Sequence, residues 1–189
     1  MPDILHYTLT DFVTSYGVRI PSLRLYYQCF GLPLGEAPVV VVNHAFTGNS
    51  QVTGENGWWK EAIGEGKLID TLKYTVVAFN IPGNGFGARE EDMISNYEHW
   101  AGIDIARIFN QGLTEHLGLK EVFALVGCSL GGGIAWEMAA LAPTLFKELV
   151  IVAADWKATD WIIGNCLLQE QILKNSTHPL HDARLHAML

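Results

Sequence analysis

The chain lacks the features of several large classes of protein. Acidic residues outnumber basic ones by 20 to 12, which gives a formal net charge of −8, so little would neutralise the phosphates of a nucleic acid or an anionic membrane. No apolar run approaches the roughly 20 residues that a membrane-spanning helix needs. The chain opens Met1-Pro2-Asp3, without the basic and apolar regions of a secretory signal. We therefore expect a cytoplasmic protein with neither a nucleic-acid nor a membrane partner.

Cysteine is also scarce. The 3 cysteines of the chain are Cys29, Cys128 and Cys166. Their odd number and wide spacing fit neither a disulfide scaffold nor a zinc knuckle. We expect free thiols and no metal site. Apolar residues are plentiful at 49% of 189 residues, enough for the core of one domain, or of one domain and part of another.

Four apolar runs predict strands buried on both faces of a sheet, because they are continuous rather than alternating. They are residues 39–42, 75–79, 122–126 and 149–152. Helical patterns lie between them, at residues 97–117 and 132–141. This alternation predicts an α/β fold, a mostly parallel sheet with helices on both faces.

The two ends of the chain have a different pattern. Alternating apolar residues in the first 30 positions predict antiparallel strands at the edge of the sheet, with turns at Ser15-Tyr16-Gly17 and at Pro21-Ser22. After Trp156 the pattern predicts a separate helix near residues 162–172, a polar break at 175–181 and a further helix. We therefore predict a core over residues 1–155 and a second segment over 156–189.

The most informative motif is the G-x-S-x-G sequence Gly127-Cys128-Ser129-Leu130-Gly131. It lies between a predicted strand and a predicted helix, which is the context of a nucleophile elbow. Small residues are needed there because the turn is strained and the helix passes close to it. Ser129 is therefore the candidate nucleophile; the alternative is a turn of small residues without catalysis. Cys128 is interpreted as a small apolar side chain directed away from the site.

A second loop, His44-Ala45-Phe46-Thr47-Gly48, follows the first buried strand. Carboxyl ends of parallel strands meet at one edge of a sheet, so this loop should lie beside Ser129. The backbone N–H groups of Phe46 and Leu130 would then form an oxyanion hole. His44 comes too early in the chain for the usual order of nucleophile, acid and histidine, so we expect a structural role for it.

Two further features have competing interpretations. Asp155 follows the fourth buried run and is a candidate for the catalytic acid; the alternatives are a helix cap or a solvated loop residue.

Residues 83–88 match the dinucleotide pattern G-x-G-x-x-G/A, with Asp104 further on. Pro82, which opens the loop, argues against that function, and so do the three acids at 90–92, because their negative charges would repel a pyrophosphate. We interpret the segment as a glycine loop and expect no bound cofactor.

Three motifs together carry a resemblance to a known family. His44-Ala45-Phe46-Thr47-Gly48 is similar to H-A-L-T-G, and Gly57-Trp58-Trp59 with residues 63–71 is similar to G-W-W…I-G-P-G-K-x-I-D-T. Residues 127–132 are similar to G-G-S-M-G-G. The chain thus resembles the homoserine O-acetyltransferases of the α/β-hydrolase superfamily over nearly its whole length. The resemblance implies an α/β-hydrolase fold with its C-terminal part missing, since residues 156–189 match only the start of the family's helical lid.

The resemblance also implies a reaction. The family moves an acyl group from acyl-CoA, a co-substrate, to the hydroxyl of homoserine in methionine biosynthesis, through an acyl-serine that would form on Ser129. The family's catalytic acid and base would lie beyond Leu189, so we expect activity far below that of a complete enzyme. The glycine loop at residues 80–85 and Phe46 depart from the family's pattern, which leaves the substrate open.

Two other functions stay open, a serine esterase or other hydrolase on the same scaffold and a non-catalytic α/β domain.

The strand predicted at residues 149–152 is the last one of the sheet and would lie at its open edge. Open apolar edges pair with other chains. We therefore expect a homo-oligomer or a protein partner.

Overall fold

The computed structural model describes residues 2–188, in two compact units. The first unit extends to Ala154 and the second begins at Asp155. The division lies next to Trp156, where the character of the sequence changes.

The first unit is built on a six-stranded sheet in the order β1-β2-β6-β3-β7-β8. The strands, including the small separate pair β4 and β5, are β1 Leu5–Val13, β2 Arg19–Gly31, β3 Val39–Asn43, β4 Ile63–Gly64, β5 Ile69–Asp70, β6 Thr75–Phe79, β7 Val122–Cys128 and β8 Phe146–Val152. β1 and β2 run antiparallel to their neighbours, whereas β6, β3, β7 and β8 are mutually parallel. The predicted mostly parallel sheet with antiparallel strands at one edge is confirmed.

The hairpin between β1 and β2 confirms one predicted turn and corrects another. Gly17 adopts a φ of +81° in the turn. The turn predicted at Pro21-Ser22 was wrong, because β2 continues through both residues. Pro21 is tolerated because this part of β2 pairs only with β1, while pairing with β6 begins at Tyr27. A missing N–H therefore leaves no gap in the middle of the sheet.

Two α-helices accompany the sheet, α1 Gly102–Gln111 and α2 Leu130–Leu141. The long helix predicted over residues 97–117 is divided into a 3₁₀ turn Tyr97–His99, α1, and a π-helical turn Gly112–His116. The division arises because Ala101 is extended and its N–H is capped by the carboxylate of Asp104 at 3.0 Å. Gly118 follows this segment with a φ of +66°, a conformation that glycine adopts easily at the end of a helix.

Each face of the sheet has its own apolar core. On one face, side chains of β3, β6 and β7 pack against α1 and α2, with Phe109, Ile134 and Met138 fully buried. On the other face the alternate side chains of the same strands pack against Trp58, Trp59 and the short β4 and β5 strands. All residues of β3 and β6 are buried, as predicted.

β8 differs from the prediction of a fully buried strand. It lies at the edge of the sheet, where β7 is its partner among residues 2–188, and Val150 and Val152 are 45% and 41% exposed. With Leu68 and Phe123 they line an apolar groove of about 290 Å³ on the second face. The open edge was predicted; self-association of the chain stays a prediction.

The second unit consists of α3 Asp160–Asn175 and α4 Pro179–Ala187. Thr159 caps α3 by accepting a hydrogen bond from the N–H of Ile162 at 3.3 Å. The side-chain amide of Gln169 donates to the carbonyl of Ala183 at 3.1 Å and so links the two helices. The predicted polar break is shorter than expected, residues 176–178. Across residues 2–188, every helix is too short or too polar to span a bilayer.

Asp104 provides a test of how the hairpin is held to α1. Its buried carboxylate accepts hydrogen bonds from the N–H and hydroxyl of Ser15 at 2.7 and 2.8 Å, besides the cap at Ala101. Asp104→Ala leaves these donors unpaired and should lower the free energy of unfolding by about 3 kcal/mol in urea denaturation. Glu121→Ala, which removes an exposed pair with Lys147, should cost less than about 1 kcal/mol. Equal losses in the two variants would contradict this assignment.

Candidate active site

The two predicted catalytic loops begin at neighbouring positions of the sheet. β3 and β7 are adjacent and parallel, with Asn43 opposite Gly127. From β3 the chain passes to β6 on one side, whereas β7 and then β8 lie on the other. Strand connections that diverge in this way open a crevice at the carboxyl ends of the strands, the usual ligand site of such sheets. The loop at residues 44–48 and Ser129 both start at this crevice.

Ser129 occupies a strained turn between β7 and α2. Its φ of 52° and ψ of −122° lie outside the regions that residues with a side chain normally adopt. Three backbone hydrogen bonds hold it there. The N–H of Ser129 donates to the carbonyl of Val152 at 2.9 Å, and its own carbonyl accepts from Gly132 and Gly133 at 2.9 and 3.1 Å. The residue is exposed, which is the geometry of a nucleophile elbow.

Two glycines of the motif are required by close backbone contacts. A Cβ atom at Gly127 would lie 2.3 Å from the carbonyl oxygen of Gly131. A Cβ atom at Gly131 would lie 2.5 Å from the carbonyl oxygens of Asn43 and His44. The first turn of α2 is therefore packed directly on the end of β3, which brings the N–H of Leu130 and the loop at 44–48 to one place.

Both predicted oxyanion donors have free N–H groups. Leu130 is the first residue of α2, and the first N–H groups of a helix have no partner within it. Among residues 2–188, no group accepts a hydrogen bond from the N–H of Phe46, and this residue is 80% exposed. The two N–H groups can thus bind an oxyanion, although their role stays a prediction.

His44 is buried, with 1% exposure, and both of its ring nitrogens are occupied. The N–H of Ile81 donates to Nε2 at 3.0 Å, so Nε2 carries no proton. Nδ1 is therefore the protonated nitrogen, and it donates to the carbonyl of Ala45 at 2.7 Å. Burial lowers the pKa of His44, partly offset by the bond to Ala45. This geometry supports a structural role for His44.

A buried polar network below the loop was not predicted from the sequence. The side-chain carbonyl of Asn80 accepts from the N–H of Ser50 at 2.7 Å, and the hydroxyl of Ser50 donates to Gln28 at 2.8 Å. Asn84 donates to the same oxygen of Asn80 at 3.3 Å. The position of Asn80, directly after a buried apolar strand, is the sequence signal that could have indicated it. The network joins the loops after β3 and β6.

The tryptophan pair supports the far end of the loop. The indole N–H of Trp58 donates to the carbonyl of Asn49 at 2.8 Å, and its ring stacks on Trp59 with the centroids 4.9 Å apart. The G-W-W motif and the His44–Gly48 motif, which are separate in the sequence, are thus parts of one packed structure.

Comparison with known families agrees with this geometry. A family model described as alpha/beta hydrolase fold matches residues 38–170, well over half of the chain and including both predicted catalytic loops. The chain belongs to the α/β-hydrolase family.

Individual relatives indicate a narrower similarity. Homoserine O-acetyltransferases from Chlorobium chlorochromatii and Corynebacterium diphtheriae are 27% and 29% identical, over 94% and 85% of this chain but 52% and 45% of those proteins. The crystal structure of homoserine O-acetyltransferase from Staphylococcus aureus superposes with a TM-score of 0.78 at 27% identity, covering 93% of this chain and 54% of that one. The chain spans about half the length of the curated relatives that it matches.

A hydrolase shares the fold as well. The structure of an acetylester hydrolase from Corynebacterium glutamicum superposes with a TM-score of 0.75 at 19% identity, covering 91% of this chain and 49% of that one. At that identity the likeness concerns the fold alone.

The remaining candidates of this α/β hydrolase differ in their surroundings. Burial raises the pKa of the Cys128 thiol, which disfavours the reactive thiolate. Asp155 is exposed and lies in the second unit, and its role as catalytic acid stays a prediction. Within the first unit, no histidine nitrogen lies within hydrogen-bonding distance of the Ser129 hydroxyl. No cluster of three potential metal ligands occurs in residues 2–188.

The glycine loop after β6 is anchored by the acidic run that follows it. Arg24 of β2 pairs with Asp92 at 2.9 Å and with Glu91 at 3.0 Å, and the hydroxyl of Tyr26 donates to Asp92 at 2.5 Å. Asp104, the carboxylate that a dinucleotide motif would present to a ribose, is instead buried at the start of α1. These acids therefore hold the loop to β2.

The close contact at Gly131 predicts a sharp difference between two glycines of α2. Gly131→Ala forces the end of β3 away from the helix and should lower the free energy of unfolding by more than about 2 kcal/mol in urea denaturation. Gly133, around which a Cβ would meet nothing within 4 Å, is the matched control. Gly133→Ala should be neutral or stabilise by up to about 1 kcal/mol. Similar stabilities for both variants would be inconsistent with the contact.

The lowered pKa of His44 predicts a loss of stability in acid. Below its ordinary pKa of 6.5, the unfolded chain binds a proton that the folded chain does not. The free energy of unfolding should therefore fall as the pH drops below about 6.5, by at most about 1.4 kcal/mol per pH unit. His44→Asn should reduce this dependence in urea denaturation, whereas His99→Gln, at a half-exposed ring, should retain it. An unchanged dependence in His44→Asn would refute the assignment.

Proposed function

We propose that this α/β hydrolase carries the nucleophile and oxyanion hole of an acyltransferase of the homoserine O-acetyltransferase type. Ser129 is the nucleophile, and the N–H groups of Phe46 and Leu130 bind the oxyanion. Acyl-CoA is the acyl donor, homoserine the acceptor, and the reaction belongs to methionine biosynthesis in the cytoplasm.

One geometric observation carries the proposal, and the similarity to known enzymes supports its narrower part. The strained, exposed Ser129 and the loop at residues 44–48 start from paired positions of adjacent strands. The similarity of the chain to homoserine O-acetyltransferases includes both of these segments. The first supports acyl chemistry on a serine, and the second supports the choice of donor and acceptor.

The reaction would proceed in two acyl-transfer steps. The hydroxyl oxygen of Ser129 attacks the thioester carbonyl of acyl-CoA, its proton passes to a general base, and the CoA thiolate leaves with a proton after the tetrahedral intermediate collapses. The homoserine hydroxyl then attacks the acyl-serine and gives its proton to the base, which passes this proton to Oγ of Ser129 as the O-acyl homoserine leaves. In both steps the charge on the carbonyl oxygen develops where two N–H donors stabilise it, each worth about 3 kcal/mol.

No described histidine of the first unit is hydrogen-bonded to Ser129 as a general base would be. Both ring nitrogens of His44 are already hydrogen-bonded, and the chain spans about half the length of its relatives. Without a base, a serine hydroxyl is a weak nucleophile at neutral pH. We therefore expect the 189-residue chain by itself to react slowly.

Hydrolysis of small esters is the second candidate function. Ser129 and Phe46 are exposed, so water can reach an acyl-serine at this site. Transfer requires that water be excluded until the acceptor binds.

The test compares two polypeptides in two assays. One is the 189-residue chain, and the other is the same chain followed by the C-terminal half of the Corynebacterium diphtheriae enzyme. Acetyl transfer from acetyl-CoA to homoserine and hydrolysis of p-nitrophenyl acetate are measured for each. We expect transfer by the longer polypeptide, a loss of at least about 10⁴-fold in kcat with Ser129→Ala, and little turnover by the shorter chain.

Ser95→Ala serves as the control, since Ser95 is an exposed residue hydrogen-bonded to Asn96, and it should leave turnover unchanged. Ester hydrolysis without transfer by the folded longer polypeptide would favour the second candidate. Rapid turnover by the 189-residue chain, abolished by Ser129→Ala, would show that the base lies within it. Turnover that survives Ser129→Ala would remove the serine from the mechanism.

A further inference from the structure

The peptide bond between Ala45 and Phe46 contains the oxyanion donor that we assign to Phe46. A trans peptide is planar, and its C=O and N–H point in opposite directions. All peptide bonds of the described chain are trans. The direction of the Phe46 N–H is therefore fixed by whatever holds the carbonyl of Ala45.

Two donors hold that carbonyl. The N–H of Gly48 donates to it at 2.9 Å and closes a tight turn, and Nδ1 of His44 donates to it at 2.7 Å. Rotating the peptide by half a turn would break both bonds and leave the buried Nδ1–H without an acceptor. An unpaired buried donor is costly, so the observed orientation is favoured.

The other ring nitrogen connects this peptide to the neighbouring loop. Nε2 of His44 accepts from the N–H of Ile81 at 3.0 Å and lies 3.4 Å from the side-chain amide of Asn84. The acceptor at Nε2 requires the proton to be on Nδ1, which is the nitrogen that holds Ala45. The loop after β6 thus determines which ring nitrogen donates to the loop after β3.

We propose that His44 is a positioning residue, which orients the Ala45–Phe46 peptide so that the Phe46 N–H is directed into the oxyanion hole, and which is itself oriented by Ile81. The geometric part is independent of the proposed function; the catalytic part rests on it. His44 acts through a backbone group and does not contact the reacting atoms.

Two variants separate the two hydrogen bonds. In His44→Asn the side-chain amide nitrogen takes the place of Nδ1, so the donor to Ala45 is kept and the acceptor for Ile81 is lost. In His44→Gln the side-chain oxygen takes the place of Nε2, so the acceptor is kept and the donor is lost. The two substitutions are therefore controls for each other.

The first readout is the orientation of the Phe46 N–H, measured by residual dipolar couplings in the 189-residue chain. His44→Asn should keep the wild-type coupling at Phe46, while His44→Gln should change it and leave the couplings of the core residues Val41 and Leu125 unchanged. Hydrogen exchange at the Ile81 amide should show the reverse, about tenfold faster in His44→Asn and close to wild type in His44→Gln.

An unchanged Phe46 coupling in a folded His44→Gln variant would overturn the inference. A long-range ¹⁵N spectrum of the unmodified chain gives a test that needs no variant. It should show the His44 proton on Nδ1, and a proton on Nε2 instead would overturn the inference even if both variants unfold.

A kinetic arm tests the link to catalysis in the longer polypeptide described above. His44→Gln should lower kcat for acyl transfer by about 10²-fold with KM for homoserine unchanged, and His44→Asn should recover most of the loss. If the folded, unmodified polypeptide hydrolyses p-nitrophenyl acetate but transfers no acyl group to homoserine, the proposed function fails, while the coupling at Phe46 in the 189-residue chain still decides the geometry. Equal kcat values for transfer in wild type and His44→Gln would refute the positioning role in catalysis.

Discussion

The contact between the end of β3 and the first turn of α2 is the constraint on which the candidate site depends. At Gly131 the helix approaches the carbonyl oxygens of Asn43 and His44 so closely that no side chain fits between them. This contact sets the start of α2, and the start of α2 in turn determines where Leu130 presents its N–H and how far Ser129 projects from the sheet. The strain at Ser129 is maintained because the neighbouring backbone bonds to Val152, Gly132 and Gly133 allow no relaxed alternative.

A second level of organisation is polar and lies below the loops. Gln28, Asn80 and the loop that carries His44 and Ser50 are three separate segments of the sequence, and each of these four residues is almost fully buried and hydrogen-bonded. Buried polar groups of this kind specify one arrangement, because any other arrangement leaves donors and acceptors unpaired in a medium of low dielectric. The network therefore fixes the loops after β3 and β6 more rigidly than apolar packing alone would.

The parts of the fold that follow from local patterns could be predicted. The continuous apolar runs gave β3, β6 and β7, and Gly127 to Gly131 gave the elbow, because each pattern reports a local requirement of packing or backbone geometry. The division of the helix at Ala101 could not be predicted, since it depends on Asp104 and on its contact with Ser15, distant in the sequence. The network around Asn80 was missed for the same reason. The exposure of β8 follows from which strands lie beside it, which its own residues do not encode.

The carbonyl of Ala45, held by two donors, has a consequence for how this site can diversify. The backbone of residue 46 is held through its preceding peptide, while its side chain is 80% exposed and takes no part in holding it. Phenylalanine can therefore stand where related enzymes have leucine without any change in the donor itself. Under the proposed function, substitution at this position would change the side chain that a substrate contacts and leave the N–H donor unchanged, so acceptor preference and catalytic power could evolve separately.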